Sequence, residues 1–236
     1  MKLTIIEAGL APEPIRHQFP DYPAMFEQLI SQADTTLDYE TVSIVKGAPL
    51  PDPASLDAIL ITGSPFGVYD DESWMTPLMD FIRWAANAST PQIGVCFGHQ
   101  IIAKAMGARV EKSDKGWGVG RHVYTMGGSP HWMKDTPNTA AFAVSHQDQV
   151  LSLPIGADVL ASSAFTPYAA LIYQQAPIIS VQGHPEFEND FAGALYNCRR
   201  ARLGETLANE AVASLDHPHD NQSAASWMAA FLAANH

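Results

Sequence analysis

The stretch Gln92-Ile93-Gly94-Val95-Cys96-Phe97-Gly98-His99-Gln100 decides how this chain is read. Residues 92–95 are a short apolar run, predicting a buried strand, and residues 97–106 carry apolar side chains at helical spacing. A cysteine framed by two glycines stands between them. This is the cysteine form of a nucleophile elbow, a tight strand-to-helix turn. The turn brings backbones together and leaves little room for side chains, which is the use of the glycines. The thiol is held at the tip, at a helix N-terminus whose dipole and free N–H groups favour negative charge on sulfur. The N–H of Phe97 is placed to hold a developing oxyanion. A free cysteine is more often a small buried hydrophobe, so the frame alone does not establish chemistry. Cys198 has no such frame. It lies in a helical stretch beside Arg199 and Arg200 and reads as structural.

Outward from the elbow the pattern repeats. Residues 3–8, 37–45 and 58–62 read as strands, and residues 22–31 and 78–86 as helices. Strands alternating with helices predict an α/β fold of flavodoxin-like type. It is an open, mostly parallel sheet with helices on both faces. Ligands bind beyond the carboxyl ends of such strands. The second half is β-rich, with strands expected at 108–114, 119–126, 141–144, 158–162, 169–173 and 178–181. Residues 191–212 and 222–234 return to helical spacing, with a break at 216–220. The expected organisation is one domain over 1–190 with a helical tail, 191–236, packed on it.

Composition is consistent with one large domain. The 236 residues are 47% hydrophobic and 16% charged, enough to bury a substantial core. The net charge of -12 argues against a nucleic-acid partner and against docking on anionic lipid. Two cysteines make neither a disulfide framework nor a multi-cysteine zinc site. The N-terminal apolar run is too short for a signal peptide and is interrupted by Glu7. No stretch approaches the ~18 apolar residues of a membrane span. The expected compartment is the cytoplasm.

A thiol attacking an amide needs a group to protonate the leaving amine, and that group needs an orienting partner. Residues Ser180-Val181-Gln182-Gly183-His184-Pro185-Glu186-Phe187 supply both. Pro185 cannot join a ladder, so this is a strand end. Residues two apart in extended backbone point the same way, which brings Glu186 to the side of His184.

These residues resemble the class I, triad-type glutamine amidotransferases, in standalone form or as the glutaminase domain of GMP synthases. The match rests on Gly94-Val95-Cys96-Phe97-Gly98-His99-Gln100, on His184-Pro185-Glu186, and on Thr62-Gly63-Ser64-Pro65. It spans roughly residues 1–190. The resemblance implies that Cys96 is the nucleophile, His184 the acid/base and Glu186 its orienter. It implies an oxyanion hole made by the backbone N–H groups of Phe97 and Ser64. It also implies substrate contacts from Gly63, Gln100, Ser145 and His146. Ser64 departs from the second glycine of many relatives, and a positive φ there would cost ~1 kcal/mol or more.

Two segments lie outside the family pattern. The proline-rich loop 9–20 leaves a strand's carboxyl end and is expected to shape the substrate mouth. Residues 115–120, with Trp117, read either as a second wall of that mouth or as a glycine-rich turn around a packed indole.

The implied reaction is hydrolysis of the γ-amide of glutamine through a Cys96 thioester. It needs no cofactor and no metal, and His217 and His219 are too sparse for a ligand set. A separate synthase partner would take the ammonia. The alternative is a standalone γ-glutamyl peptidase or hydrolase acting on γ-glutamyl conjugates. An alternative of another class is a DJ-1-like redox or chaperone protein of the same fold, whose elbow cysteine oxidises instead of forming thioesters.

Overall fold

A computed structural model describes residues 1–134 and 136–236. The elements follow in chain order as β1 (Lys2–Glu7), α1 (Glu13–Arg16), α2 (Tyr22–Ser31), β2 (Asp38–Ser43), β3 (Ala58–Ile61), α3 (Met75–Asn87), β4 (Gln92–Val95) and α4 (Phe97–Ala105). The β-rich half adds β5 (Val110–Lys112), β6 (Gly118–Met126), β7 (Thr139–His146), β8 (Asp148–Val150), β9 (Ala157–Ser162), β10 (Ala170–Tyr173) and β11 (Ile178–Val181). Four helices close the chain: α5 (Asn189–Cys198), α6 (Arg200–Leu203), α7 (Glu205–Ser214) and α8 (Asn221–Ala234).

Nine strands form one sheet in the order β2-β1-β3-β4-β11-β10-β9-β6-β7. The first five are parallel to one another, and only β10 and β6 run against the other seven. The α/β, mostly parallel reading of the sequence therefore holds.

Side chains alternate across the central strands. Ile59 and Ile61 of β3 pack with Leu78, Phe81 and Ile82 of α3 and Phe97, Ile101 and Ile102 of α4. Ala58 and Leu60 point the other way, joining Leu3, Ile5, Ile93 and Val95 against Phe26 of α2 and Phe231 and Leu232 of α8. Both faces of the sheet are thus covered, as its continuous apolar strands require. Helix α2 starts where its sequence says it should. Asp21 caps it, accepting from Ala24 N at 3.0 Å, and Pro23 sits in the first turn. A third cluster joins Phe191, Leu195 and Tyr196 of α5 and Ala211 of α7 to Val119 of β6 and Ala143 of β7. Among the described residues, no helix is long and apolar enough to cross a membrane.

Several boundaries depart from the sequence reading. The expected strand at 37–45 stops at Ser43, where a 3-10 turn over Ile44–Lys46 takes over and closes on Gly47 at φ 86°. The strand expected at 108–114 keeps three residues, and it leaves the main sheet to pair with β8, which periodicity did not reveal. The stretch 191–212 is three helices, not one: α5 ends at Cys198, and Gly204, at φ 83°, separates α6 from α7. The loop 9–20 contains α1. Its Ala11 and Ile15 are buried against the tail helices, so it packs on that cluster and does not line the cleft beside Cys96.

Candidate active site

The elbow is strained, and its strain is held on three sides. Cys96 has φ 53° and ψ -101°, and Ser89 is the only other non-glycine residue with positive φ among the described residues. Such a backbone costs about 1–2 kcal/mol for an L-residue. The Cys96 N–H donates to Val181 O at 2.8 Å, tying the turn to β11. The Cys96 carbonyl accepts from Gln100 N at 3.0 Å, opening α4. Both glycines are required by contact. A Cβ on Gly94 would lie 2.6 Å from the Gly98 oxygen, and one on Gly98 would lie 2.2 Å from the Ile61 oxygen. The helix thus sits directly on β3. Cys96 is 6% exposed and lines a cleft, so it does not stand at an open tip.

His184 follows the end of β11 and is buried. Its N–H donates to Ala143 O at 2.8 Å, bridging to β7, and Gly183 lets the chain pass Phe142, whose Cβ would stand 3.0 Å from an added Cβ. His184 Nδ1 and Glu186 Oε1 are 2.7 Å apart. Burial opposes charge on this imidazole. The negative charges of Cys96 and Glu186 and the hydrogen bond to Glu186 outweigh burial, and its pKa is pushed up to about 10. His184 is therefore an imidazolium at neutral pH, able to give a proton.

Gly63 completes the convergence. A Cβ there would lie 3.0 Å from His184 Cε1 and 3.8 Å from Cys96 Cβ. The loop after β3 is fixed by Thr62, whose hydroxyl accepts from Ala8 N and donates to Gly63 O, each at 3.0 Å. Ser64 does not have a positive φ, so the expected backbone penalty is not incurred. Its hydroxyl accepts from Phe66 N at 3.2 Å and closes the next turn. Gly9 is a residue that sequence reading missed here: a Cβ on it would stand 2.6 Å from Ser64 Cα.

The cleft holds about 220 Å³, and its lining includes Ser64, Tyr69, Asp70, Gln100 and Asp148. Gln100, one turn along α4 from Cys96, gives its amide to Asp148 O at 2.8 Å and Gln182 Oε1 at 3.1 Å. Gln182 in turn donates to the Cys96 sulfur at 3.7 Å. Ser145 and His146, at the end of β7, also line the cleft. His146 Nδ1 is 3.1 Å from Asp148 O, while Nε2 is buried without a partner among the described residues. Burial drives its pKa down to about 3, so the ring is neutral. Trp117 is a wall residue, with the Arg202 guanidinium 5.8 Å above its ring.

Arg199 is the main omission from the sequence reading. It follows α5 and donates from Nη1 to Ser145 Oγ at 2.6 Å. Burial pushes its pKa down, while the neighbouring charges of Tyr22 and Cys96 act in the opposite sense. The signal was a run of arginines at 199, 200 and 202 in an acidic chain. Cys198, expected to be structural, is exposed and lies outside the cleft. Among the described residues, no group of three or more His, Cys, Asp or Glu is placed to hold a metal ion.

The fold thus brings a glycine-seated elbow cysteine and a carboxylate-paired histidine together beside Gly63. The family model for glutamine amidotransferase class-I matches residues 20–196, and the chain belongs to that family. The chain is 27% identical, across 98% of both sequences, to a glutamine amidotransferase-like protein of Schizosaccharomyces pombe. It is 29% identical to γ-glutamyl peptidase 3 of Arabidopsis thaliana, over 57% of this chain and 56% of that one. A glutamine amidotransferase structure from Thermotoga maritima matches with a TM-score of 0.76 at 16% identity, covering 98% of this chain and 96% of its own, a likeness of fold.

Proposed function

We propose that this protein hydrolyses the γ-amide bond of glutamine or of a γ-glutamyl conjugate through a thioester on Cys96. The observation that carries the reading is the meeting of Cys96, His184 and Gly63, with Glu186 2.7 Å from the imidazole.

The Cys96 thiolate adds to the γ-carbonyl carbon. The oxyanion is received by the N–H groups of Phe97 and Ser64. Losing one such donor costs on the order of 3 kcal/mol of barrier. As the C–N bond breaks, His184 transfers its proton to the leaving amine, and the C–S bond remains as a γ-glutamyl thioester. Neutral His184 then takes a proton from water, whose oxygen bonds to the carbonyl carbon. The C–S bond breaks, the thiolate leaves, and glutamate is released. Glu186 orients the ring through both half-reactions. Gln100, Ser145 and His146 bound the space for the glutamyl group. No cofactor enters either step.

With glutamine the product is ammonia, which a separate synthase subunit would consume. With a conjugate the product is the freed amine. A reducing compartment such as the cytoplasm keeps Cys96 in its nucleophilic form.

The test is release of glutamate from L-glutamine and from γ-glutamyl peptides, with and without Cys96→Ala. Turnover lost in that variant, with an unchanged circular dichroism spectrum, supports the reading. Turnover retained in it removes the reading. An intact protein that turns over neither substrate and only oxidises at Cys96 belongs to the redox alternative.

A further inference from the structure

The sulfur of Cys96 has a donor that the two half-reactions above do not use. Gln182 follows β11 and is fully buried, and its side-chain amide lies 3.7 Å from the sulfur. Its backbone is fixed, with the N–H donating to Ala169 O at 2.8 Å. Which end of an amide faces a neighbour is decided by the hydrogen bonds around it. Asp148 O is a backbone carbonyl and only accepts, so the Gln100 side-chain atom 2.8 Å from it is the nitrogen. That same nitrogen lies 3.1 Å from the Gln182 amide, so the Gln182 atom facing it is the oxygen. The Gln182 nitrogen is left to face the sulfur, and the sulfur is its one partner among the described residues.

A buried amide N–H gains little from a poor acceptor. A thiol or thioester sulfur accepts weakly, whereas a thiolate is charged and makes the stronger bond. The contact therefore favours the states in which Cys96 carries charge. In deacylation the proton taken from water stays on His184, so the sulfur departs as an anion and needs a donor. In acylation a larger thiolate population is partly offset by a weaker nucleophile. The larger effect falls on deacylation.

We propose that Gln182 is a further catalytic residue, whose amide N–H donates to the sulfur as it takes the electron pair of the breaking C–S bond, with Gln100 the positioning residue that sets the orientation of that amide. The inference rests on the thioester reading above and adds a group to its second step.

The experiment uses Gln182→Met, which roughly keeps the side-chain volume and removes the donor, and Gln100→Met, which keeps the donor and releases its orientation. In single turnovers of a γ-glutamyl peptide, with enzyme in excess, acid-quenched samples are followed by intact mass spectrometry. Decay of the thioester on Cys96 is expected to slow by ~10-fold in Gln182→Met and by less in Gln100→Met, with kcat falling more than kcat/KM. Alkylation of Cys96 by iodoacetamide in mildly acidic buffer involves no glutamyl contact, and it should slow by ~3-fold in Gln182→Met. A side chain that only fills space changes neither rate in a folded protein. Wild-type speed of either process in folded Gln182→Met overturns the proposal. If that variant does not fold, Gln100→Met decides on the same terms. Slowed alkylation in the variant, with no thioester and no turnover in the wild type, rejects the thioester reading and keeps the amide contact. Turnover through a thioester that decays at the same rate in the variant does the reverse.

Discussion

The imidazole of His184 lies flat on the ring of Phe187, with centroids 3.9 Å apart and planes 5° from parallel. Glu186 holds the same imidazole at its edge, 2.7 Å from Nδ1. One contact fixes the plane of the ring and the other its rotation within that plane. Both favour its protonated form, the stack through the aromatic face and the carboxylate through charge.

Phe187→Leu should keep the fold and loosen the ring. Phe187 is fully buried, so a loss of stability of about 1–3 kcal/mol is expected, read as a lower melting temperature. The His184 pKa should fall below that of the wild type, seen by NMR titration of its ring protons. The acylation rate should drop by roughly tenfold, in line with a displaced acid.

Glu186→Gln should reduce kcat by roughly 10²- to 10⁴-fold while changing KM less, because the lost interaction supports the imidazolium during proton transfer. It also changes the pH response of stability. His184 titrates near 6.5 when unfolded and near 10 when folded. Its stabilising contribution is complete below 6.5, shrinks between 6.5 and 10, and is gone above 10. Denaturant melts at pH 7 and pH 10 should show a smaller difference in Glu186→Gln than in the wild type. Equal differences in the two proteins would rule out this carboxylate as a contributor, beside Cys96, to the raised pKa.

Two alanine substitutions separate seating the elbow from completing the site. Gly98→Ala places a Cβ 2.2 Å from the Ile61 backbone oxygen, so α4 must move off β3. A destabilisation of about 3 kcal/mol or more is expected, measured by urea unfolding. Gly63→Ala meets His184 Cε1 at 3.0 Å and leaves the core packing untouched. It should melt near the wild-type temperature and lose at least ~10-fold in kcat/KM.

Much of the fold could be read from the chain because its strongest signals are local. The apolar run over Gln92–Val95 and the capped helix over Tyr22–Ser31 end where the sequence indicates. The elbow was legible for the same reason, since its glycines, cysteine and helix are contiguous. His184 and Glu186 were legible as neighbours two residues apart. What escaped depends on distant contacts. The β5–β8 ribbon joins residues 110 and 150, which no periodicity links. Gly9 is needed only because β1 ends against Ser64. Arg199 enters the cleft because α5 packs on β6 and β7, and a helical arginine otherwise reads as a solvated side chain. The expected role of loop 9–20 at the mouth failed on the same ground, because its apolar Ala11 and Ile15 found the tail helices first.

Covalent capture tests the pairing of sulfur and imidazole most directly. The protein is incubated with a glutamine-analogue electrophile, such as a diazoketone, and digested for mass spectrometry. The account predicts stoichiometric addition at Cys96, none at the exposed Cys198, and slowing by at least ~10-fold in His184→Ala. Labelling that favours Cys198, or that proceeds at Cys96 with equal speed when His184 is absent, contradicts it.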